Sequence, residues 1–234
     1  MSAEAALILI ALASIRVELP GPPMDAASGR SGVFAVLSFS IPRVLLLSSA
    51  GETLGSFDAP EAGSPGGIAV LEDGSFCISD RMAGVTWLYG PHGECTGSVP
   101  TPGGPTALAW AGPDLWYLSS DENAVFAAGT DHSPLARPGF TAIGLTASGR
   151  RGVCSGTGRC ALFEASFGVT AVFEGRDADF AGGALLVLCG DSLAPAGGGP
   201  AVAAGLSEWE RFACSADSTI LLYNPGSSEV LLLR

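Results

Sequence analysis

Residues 65–99 contain four short strand-like stretches that decide the fold: PGGIAVLEDG (65–74), SFCISD (75–80), VTWLYGPHG (85–93) and ECTGSV (94–99). Residues with high strand propensity occur in each stretch, and turn residues separate the stretches. The pair Asp73-Gly74 is a tight hairpin signal, and a second turn lies between Gly90 and Gly93. The pattern predicts a four-stranded antiparallel meander, with strands a to d in chain order.

The same frame recurs along the whole chain and predicts a repeat architecture. Six units follow one another, with approximate bounds 22–57, 65–99, 105–139, 141–175, 177–208 and 209–234. A repeated four-stranded meander is typical of β-propeller blades. In the fifth unit, the Gly- and Pro-rich segment 195–200 replaces the expected outer strand and predicts a loop or a weak edge.

The last unit stops after its third strand, and the N-terminal residues have no unit of their own. We therefore predict that residues 6–19 form the outer strand of the sixth blade, beside Glu229–Leu233. This arrangement closes the ring and removes the open sheet edges that favour aggregation. The expected fold is all-β: one domain over residues 1–234, a six-bladed propeller closed by an N-terminal strand.

Alignment of the six predicted inner strands gives one position at which every residue is small. The aligned residues are Ala27, Ala69, Ala109, Gly144, Ala181 and Ala213. Inner strands crowd toward the propeller axis, where little side-chain volume is available. The position before it is mostly large and apolar, as packing between neighbouring blades requires.

The unit at 65–99 resembles an NHL-type blade, through PGGIAV at 65–70, Asp73-Gly74, Ile78-Ser-Asp80 and the segment from Val85 to Gly93. The resemblance is weaker for 22–57 and 105–139, and beyond them only the period is shared. The Asn-rich or basic turn between strands b and c, usual in that family, is largely missing here. The resemblance implies a six-bladed propeller, a fold that serves scaffolds, lyases and lactonases alike.

Composition excludes several functions. The chain has 234 residues, of which 11 are basic and 23 acidic, so the formal net charge is −12. This acidity excludes binding to a phosphate backbone, which needs a positive footprint. All the basic residues are Arg, and the absence of Lys excludes Schiff-base chemistry and a P-loop. No cofactor is expected.

The N-terminal stretch 5–15 is the most apolar part of the chain. It is too short for a membrane helix, which needs ~20 residues. It has the length of a signal-peptide core, but Glu4 stands where such a signal carries basic residues. This favours a buried strand over an export signal and the cytoplasm over export, and it predicts no membrane span.

Six Cys residues are too few for a disulfide scaffold in a chain of this length, and no C-x-x-C motif occurs. Cys154 and Cys160 flank a predicted hairpin loop. The spacing leaves a disulfide open, and two buried thiols are the preferred interpretation, because free Cys is among the most buried residue types.

The candidate ligand site lies on the inner strands, one position before the mostly large and apolar one. This places it at the mouth of the channel that runs along the propeller axis. The aligned residues there are Asp25, Gly67, Ala107, Ala142, Asp179 and Arg211. The three charged ones, Asp25, Asp179 and Arg211, fall on adjacent blades of the closed ring. They predict either a pocket for a polar ligand or a self-neutralising Arg–carboxylate cluster, and the cluster is the preferred interpretation.

Two other groups are weaker candidates. Polar residues recur at the turns between strands b and c, namely Ser38, Asp80, Asp121, Asp191 and Asn224. Their repetition favours hydrogen bonds within each turn over a cation site. His92 and His132 fall in turns between strands c and d, on the outer rim, which disfavours a catalytic role. No metal ligand or catalytic residue is assigned.

Three functions remain, and one of them, an exported or surface-attached accessory module, depends on whether residues 1–19 are cleaved. The leading hypothesis is a non-catalytic propeller scaffold that binds a partner protein or peptide, which makes an enzyme less expected than a binding protein. The alternative is a metal-dependent hydrolase of the gluconolactonase-like kind, with a site at the channel mouth. There, Glu18 and either Asp25 or Asp179 would hold the cation. The Asn ligands that such enzymes carry on inner strands are absent.

Overall fold

The structure is a computed structural model, and it describes residues 14–29, 32–39, 41–181 and 183–234. Within these ranges the chain forms strands and turns and no helix. No helix long and apolar enough to cross a membrane occurs in the described part. The strands form six separate antiparallel sheets, each built almost entirely from consecutive strands.

The first strand, β1 (Ser14–Glu18), belongs to the last sheet. Blades 1 and 2 have four strands each. Blade 1 consists of β2 (Pro23–Ser28), β3 (Val33–Ser38), β4 (Arg43–Ser48) and β5 (Thr53–Asp58). Blade 2 consists of β6 (Pro65–Val70), β7 (Phe76–Asp80), β8 (Val85–Tyr89) and β9 (Cys95–Pro100). The strands of blade 2 match the four stretches of the sequence from which the fold was predicted.

Blade 3 has three strands, where the sequence predicted four. They are β10 (Pro105–Ala111), β11 (Asp114–Ser119) and β12 (Ala124–Ala127). The predicted outer strand is reduced to one isolated bridge between Val125 and Ala136. Pro134 and Pro138 flank this bridge, and since Pro has no N–H donor the ladder does not extend.

Blades 4 and 5 have four strands each. Blade 4 consists of β13 (Ala142–Ser148), β14 (Arg151–Gly156), β15 (Arg159–Glu164) and β16 (Gly168–Glu174). Blade 5 consists of β17 (Asp177–Ala181), β18 (Ala184–Cys189), β19 (Ser192–Pro195) and β20 (Ala203–Ala204). The outer strand of blade 5 is two residues long, and most of the Gly- and Pro-rich segment lies in the loop before it.

Blade 6 closes the ring with both ends of the chain. It consists of β21 (Arg211–Cys214), β22 (Ile220–Tyr223) and β23 (Glu229–Leu233), with β1 as its outer strand. The pairing of β1 with β23 is antiparallel, from Ser14 opposite Leu233 to Glu18 opposite Glu229. The predicted closing strand is therefore present over 14–18, and residues 6–13 lie outside the described residues.

The core lies between the blades. Six clusters of buried apolar side chains occur in the described residues, and each joins two neighbouring sheets. In the cluster that joins the two ends of the ring, Phe34 and Leu47 of blade 1 pack with Leu221 and Tyr223 of blade 6. Side chains alternate across each sheet, so both faces of a blade are buried against its neighbours.

Candidate functional site

An axial cavity of about 150 Å³ lies where the six inner strands meet. Three or four consecutive residues of each inner strand line it. With the residues that precede them on blades 2, 3 and 4, they form two stacked rings around the propeller axis. The strand pairing fixes which residues belong to each ring.

The first ring lies near the start of the inner strands, and three of its six residues are charged. Its members are Asp25, Gly67, Ala107, Gly144, Asp177 and Arg211. Asp177 belongs here and not Asp179, because Asp177 accepts a hydrogen bond from the backbone N–H of Phe212 as Asp25 does from that of Ile68. The sequence alignment of blades 4 and 5 was wrong by two residues in each blade.

Arg211 is held between two carboxylates in this ring. Its Nε lies 3.4 Å from Asp177 Oδ2, and its Nη2 lies 3.9 Å from Asp25 Oδ1. The guanidinium carbon lies 5.9 Å from the centre of the Tyr223 ring. The side chain is 15% exposed, so Arg211 points into the ring and not to solvent.

The two carboxylates also join neighbouring blades. Asp25 of blade 1 accepts from the Ile68 N–H of blade 2 at 3.0 Å and from the Tyr223 hydroxyl of blade 6 at 2.9 Å. Asp177 of blade 5 accepts from the Phe212 N–H of blade 6 at 2.9 Å and from a serine hydroxyl within blade 4 at 2.7 Å. These bonds satisfy backbone donors that would otherwise be buried without partners.

Burial and charge set the pKa values of this ring. Burial raises the pKa of Asp25, although Arg211 and the Ile68 N–H oppose the shift. Burial also opposes the charge of Arg211, but the effects of Tyr223, Asp177 and Asp25 outweigh it and raise the pKa of Arg211 further. Arg211 therefore stays charged at every accessible pH.

Gly144 makes room for the guanidinium of Arg211. A Cβ atom at this position would lie 2.5 Å from Arg211 Nη2 and 2.3 Å from Ser155 Oγ. Blade 4 therefore contributes no side chain to the first ring, and the arginine reaches across the axis toward it. The first ring closes the cavity at this end.

The second ring lies two residues further along each strand and is mostly apolar. Its members are Ala27, Ala69, Ala109, Thr146, Asp179 and Ala213. Four of the six are Ala, as the small-residue column predicted, but blades 4 and 5 contribute Thr146 and Asp179 where Gly144 and Ala181 were expected. This polar pair sits side by side on adjacent blades.

Asp179 is bonded to Thr146 and to two backbone N–H groups. The Thr146 hydroxyl donates to Asp179 Oδ1. The N–H groups of Phe180 and Cys214 donate to Oδ1 and Oδ2, each at 2.7 Å. Burial raises the pKa of Asp179 to about 6, and these hydrogen bonds limit the shift.

The cavity opens at the end that carries the turns between strands a and b. Of the first-ring residues, Asp25 and Asp177 are 8% and 4% exposed. Thr146 and Asp179 in the second ring are half-buried, and so is Trp110 one residue further on. Exposure thus increases from the first ring toward these turns. Of the residues predicted at the channel mouth, Asp25 and Arg211 lie on the floor of the cavity and Asp179 lies on its wall.

Other predicted candidates lie away from the cavity. Glu18 is exposed on the outer strand of blade 6, opposite Glu229, and not on an inner strand. His92 is exposed in the turn between β8 and β9. His132 lies in the loop that replaces the outer strand of blade 3, with Nε2 2.7 Å from Glu122 Oε1 and its ring stacked on Phe126.

The polar turn column is used locally. Asp80 Oδ1 accepts from the N–H groups of Met82 and Ala83, each at 3.0 Å, and Asn224 Oδ1 accepts from the Gly226 N–H at 2.9 Å. These are turn-stabilising contacts of the kind expected for Asp and Asn.

Cys154 and Cys160 are free and lie in different inter-blade clusters, on opposite faces of blade 4. Cys154 pairs across the ladder with Ala161, and Cys160 pairs with Ser155. Because successive side chains alternate between faces, this register directs the two sulfur atoms away from each other.

A metal site was the basis of the alternative function. Across the described ranges, no group of three or more His, Cys, Asp or Glu side chains is placed to hold a metal ion. Of the proposed ligands, Asp25 and Asp179 share the cavity but belong to different rings, and Glu18 lies on the outer strand.

Three members of the site were not predicted from the sequence, namely Asp177, Thr146 and Tyr223. A search for carboxylates at both i and i+2 of an inner strand would have placed Asp177 and Asp179 on the same face. Nothing in the local sequence marks Tyr223, which reaches Asp25 from another blade.

The fold places this chain among the six-bladed β-propellers. The structure is similar to selenomethionine-substituted virginiamycin B lyase from Staphylococcus aureus, with a TM-score of 0.60 and 11% identity over 95% of this chain and 99% of that one. It is also similar to a streptogramin B lyase, with a TM-score of 0.57 and 11% identity over 95% and 97%. At this identity the similarity shows the fold alone. No protein-family description matches the sequence, and no curated protein matches it.

Proposed function

We propose that this protein is a non-catalytic binding propeller, in which a partner protein or peptide inserts one side chain into the axial cavity. The observation that carries this proposal is the size and form of the cavity. At about 150 Å³ it matches a volume known to accept a benzene molecule. Pockets for drug-sized molecules are larger, at about 300–1,000 Å³. A single side chain of a partner fits this space, with the rest of the partner on the surface around the opening.

The roles of the charged residues support binding over catalysis. Asp25 and Asp177 each accept backbone N–H bonds from a neighbouring blade and share Arg211. Groups so committed hold the ring together and are poorly suited to exchanging protons with a substrate. The NHL-like assignment of residues 65–99 is part of the same proposal.

Peptide display tests the proposal directly. Peptides selected on the wild-type protein are measured against Ala27→Leu, which fills the cavity from the half-buried second-ring position. We expect the affinity of selected peptides to fall at least about tenfold, because the added side chain takes the space of the inserted one. Ala171→Leu, on the exposed outer strand of blade 4, makes the same change outside the cavity. Peptides that bind Ala27→Leu and wild type equally, or a selection that yields none, would refute the proposal.

Enzymatic chemistry in the cavity is the competing function, because the two similar structures named above are lyases by name. A metal-dependent hydrolase would hold calcium or zinc after purification and would cleave lactones. We expect elemental analysis to find no stoichiometric metal and lactone assays to find no turnover. Turnover by the wild-type protein that is lost in Asp179→Asn would show that the cavity is a catalytic site and would contradict the proposed binding function.

A further inference from the structure

Asp179 is the one carboxylate of the cavity that has no cation beside it in the described structure. Among the described residues, Arg211 lies within ion-pair distance of Asp25 and Asp177 only, and no described Arg or His approaches Asp179 this closely. Three carboxylates and one guanidinium line the cavity, so its formal charge is 1 − 3 = −2. A half-buried carboxylate without a counter-ion is unfavourable for the fold, and groups held in this way concentrate at functional sites.

The second ring offers hydrogen-bond acceptors and no free donor side chain. A carboxylate has about four acceptor positions. Asp179 uses three of them, for the Thr146 hydroxyl and for the N–H groups of Phe180 and Cys214. One position on Oδ2 is left, and the Thr146 oxygen, whose hydrogen goes to Asp179, still accepts. The other four residues of the ring are Ala and cannot solvate an anion.

We propose that the axial cavity binds a cationic group, an ammonium or a guanidinium, between the Asp179 carboxylate and the Thr146 hydroxyl. The proposal rests on the proposed function and specifies it: the side chain that the partner inserts is basic. Such a group supplies several N–H donors to two adjacent acceptors and neutralises part of the negative charge. Neutral donors would satisfy the hydrogen bonds and leave the charge uncompensated.

The surroundings of the pair fit a basic side chain. Ala27, Ala69, Ala109 and Ala213 leave an apolar passage for the methylene stem, which long charged side chains bury readily. Arg211, on the floor of the cavity, is paired with the carboxylates of the first ring and so does not compete with a ligand for Asp179. At neutral pH Asp179 is mostly ionised, because its pKa is about 6.

The test uses n-butylammonium as the probe and n-butanol as its neutral match. Binding is followed through the indole N–H resonance of Trp110, which lines the cavity, with Trp110→Phe identifying the signal. At pH 7.5 and low salt we expect the ammonium to bind at least about tenfold more tightly than the alcohol. Added salt should weaken the binding of the ammonium and leave the binding of the alcohol unchanged.

Two matched variants locate the charge. Asp179→Asn is expected to reduce ammonium binding at least about tenfold and to abolish the preference for the ammonium over butanol. Asp73→Asn removes an exposed charge from the turn between strands a and b of blade 2, at the open end of the propeller but outside the cavity. It is expected to have no effect. Equal binding of both probes, or unchanged ammonium binding in Asp179→Asn, would overturn the proposal.

The comparison of the two probes on the wild-type protein needs no variant, so a folding defect in Asp179→Asn does not remove the test. Failure of this inference is also distinct from failure of the proposed function. If the two probes bind equally while selected peptides still lose affinity for Ala27→Leu, the cavity binds a side chain that is not basic. If the peptides are insensitive to Ala27→Leu, the cavity is not their site.

Discussion

Arg211 lies between two buried carboxylates, and its removal leaves both of them without this cation. We expect Arg211→Ala to lower the free energy of unfolding by roughly 2–4 kcal/mol, because Asp25 and Asp177 lose the cation between them. Chemical denaturation at pH 7 measures the loss. Arg159→Ala, at the exposed start of β15, serves as the control and should change stability by less than about 0.5 kcal/mol. A loss no larger than that of the control would mean that the cluster contributes nothing to the fold.

Asp179 makes stability depend on pH in the opposite direction to an ordinary paired carboxylate. Burial raises its pKa in the folded state to about 6 from an ordinary value of 3.8, while Asp177 adds to this shift and Thr146 opposes it. The folded state therefore holds the proton more tightly than the unfolded state. Its stabilising contribution is full below pH 3.8 and is lost as the pH rises through about 6.

The expected loss between pH 4 and 7 is on the order of 1–3 kcal/mol, since each pKa unit is worth about 1.4 kcal/mol and Asp179 is only half-buried. Denaturation of wild type and Asp179→Asn across this range isolates the effect. The wild-type protein should lose stability relative to the variant as the pH rises. Parallel curves would show that Asp179 has an ordinary pKa.

At the scale of elements, β1 is the strand on which closure depends. Deletion of residues 1–18 leaves the edge of β23 unpaired, with Val230 and Leu232 in the cluster between blades 6 and 1 losing their cover. We expect aggregation or loss of folding, because an apolar strand edge pairs with other chains. Static light scattering and a thermal melt report both outcomes.

Deletion of residues 1–13 keeps β1 and is the matched control. It separates the loss of the strand from the loss of the preceding segment. If the longer deletion is as soluble and as stable as the shorter one, β1 is dispensable and blade 6 is sufficient with three strands.

The sequence predicted the elements better than their register. Blade 2 was predicted strand by strand, because Gly and Asp-Gly turns bound each strand there. The inner strands of blades 4 and 5 were misplaced by two residues, which a period of two cannot detect, since such a shift leaves every side chain on the same face. The ion pair of Arg211 was therefore assigned to Asp179, and Asp177 and the partnership of Asp179 with Thr146 were missed.

Blade 3 shows a second limit of sequence patterns. The triplet Pro134 to Ala136 has apolar character, and the repeat predicts an outer strand there. The two Pro residues at 134 and 138 restrict pairing to one bridge between Val125 and Ala136. A repeat predicts where a strand is expected. Whether the strand forms depends on whether its residues have backbone N–H groups to donate.

At the scale of the whole molecule, the six inter-blade clusters make every blade depend on two neighbours. We therefore expect residues 14–234 to unfold in one cooperative transition, as a single domain would. Near-ultraviolet dichroism and tryptophan fluorescence should give the same midpoint in urea. Two separated transitions would show that some blades fold as an independent unit.

Blade 6 also differs from the others in how it must assemble. Arg16 of β1 and Glu229 of β23 pair across 213 residues of chain, whereas other blades are built from strands that follow one another. Contacts of such long range form late during folding. For that interval, β23 of one molecule is as available to the β1 of a second copy as to its own. Refolding at high protein concentration should therefore yield exchanged oligomers, in which each copy lends its first strand to the next and every blade is complete although no single ring is.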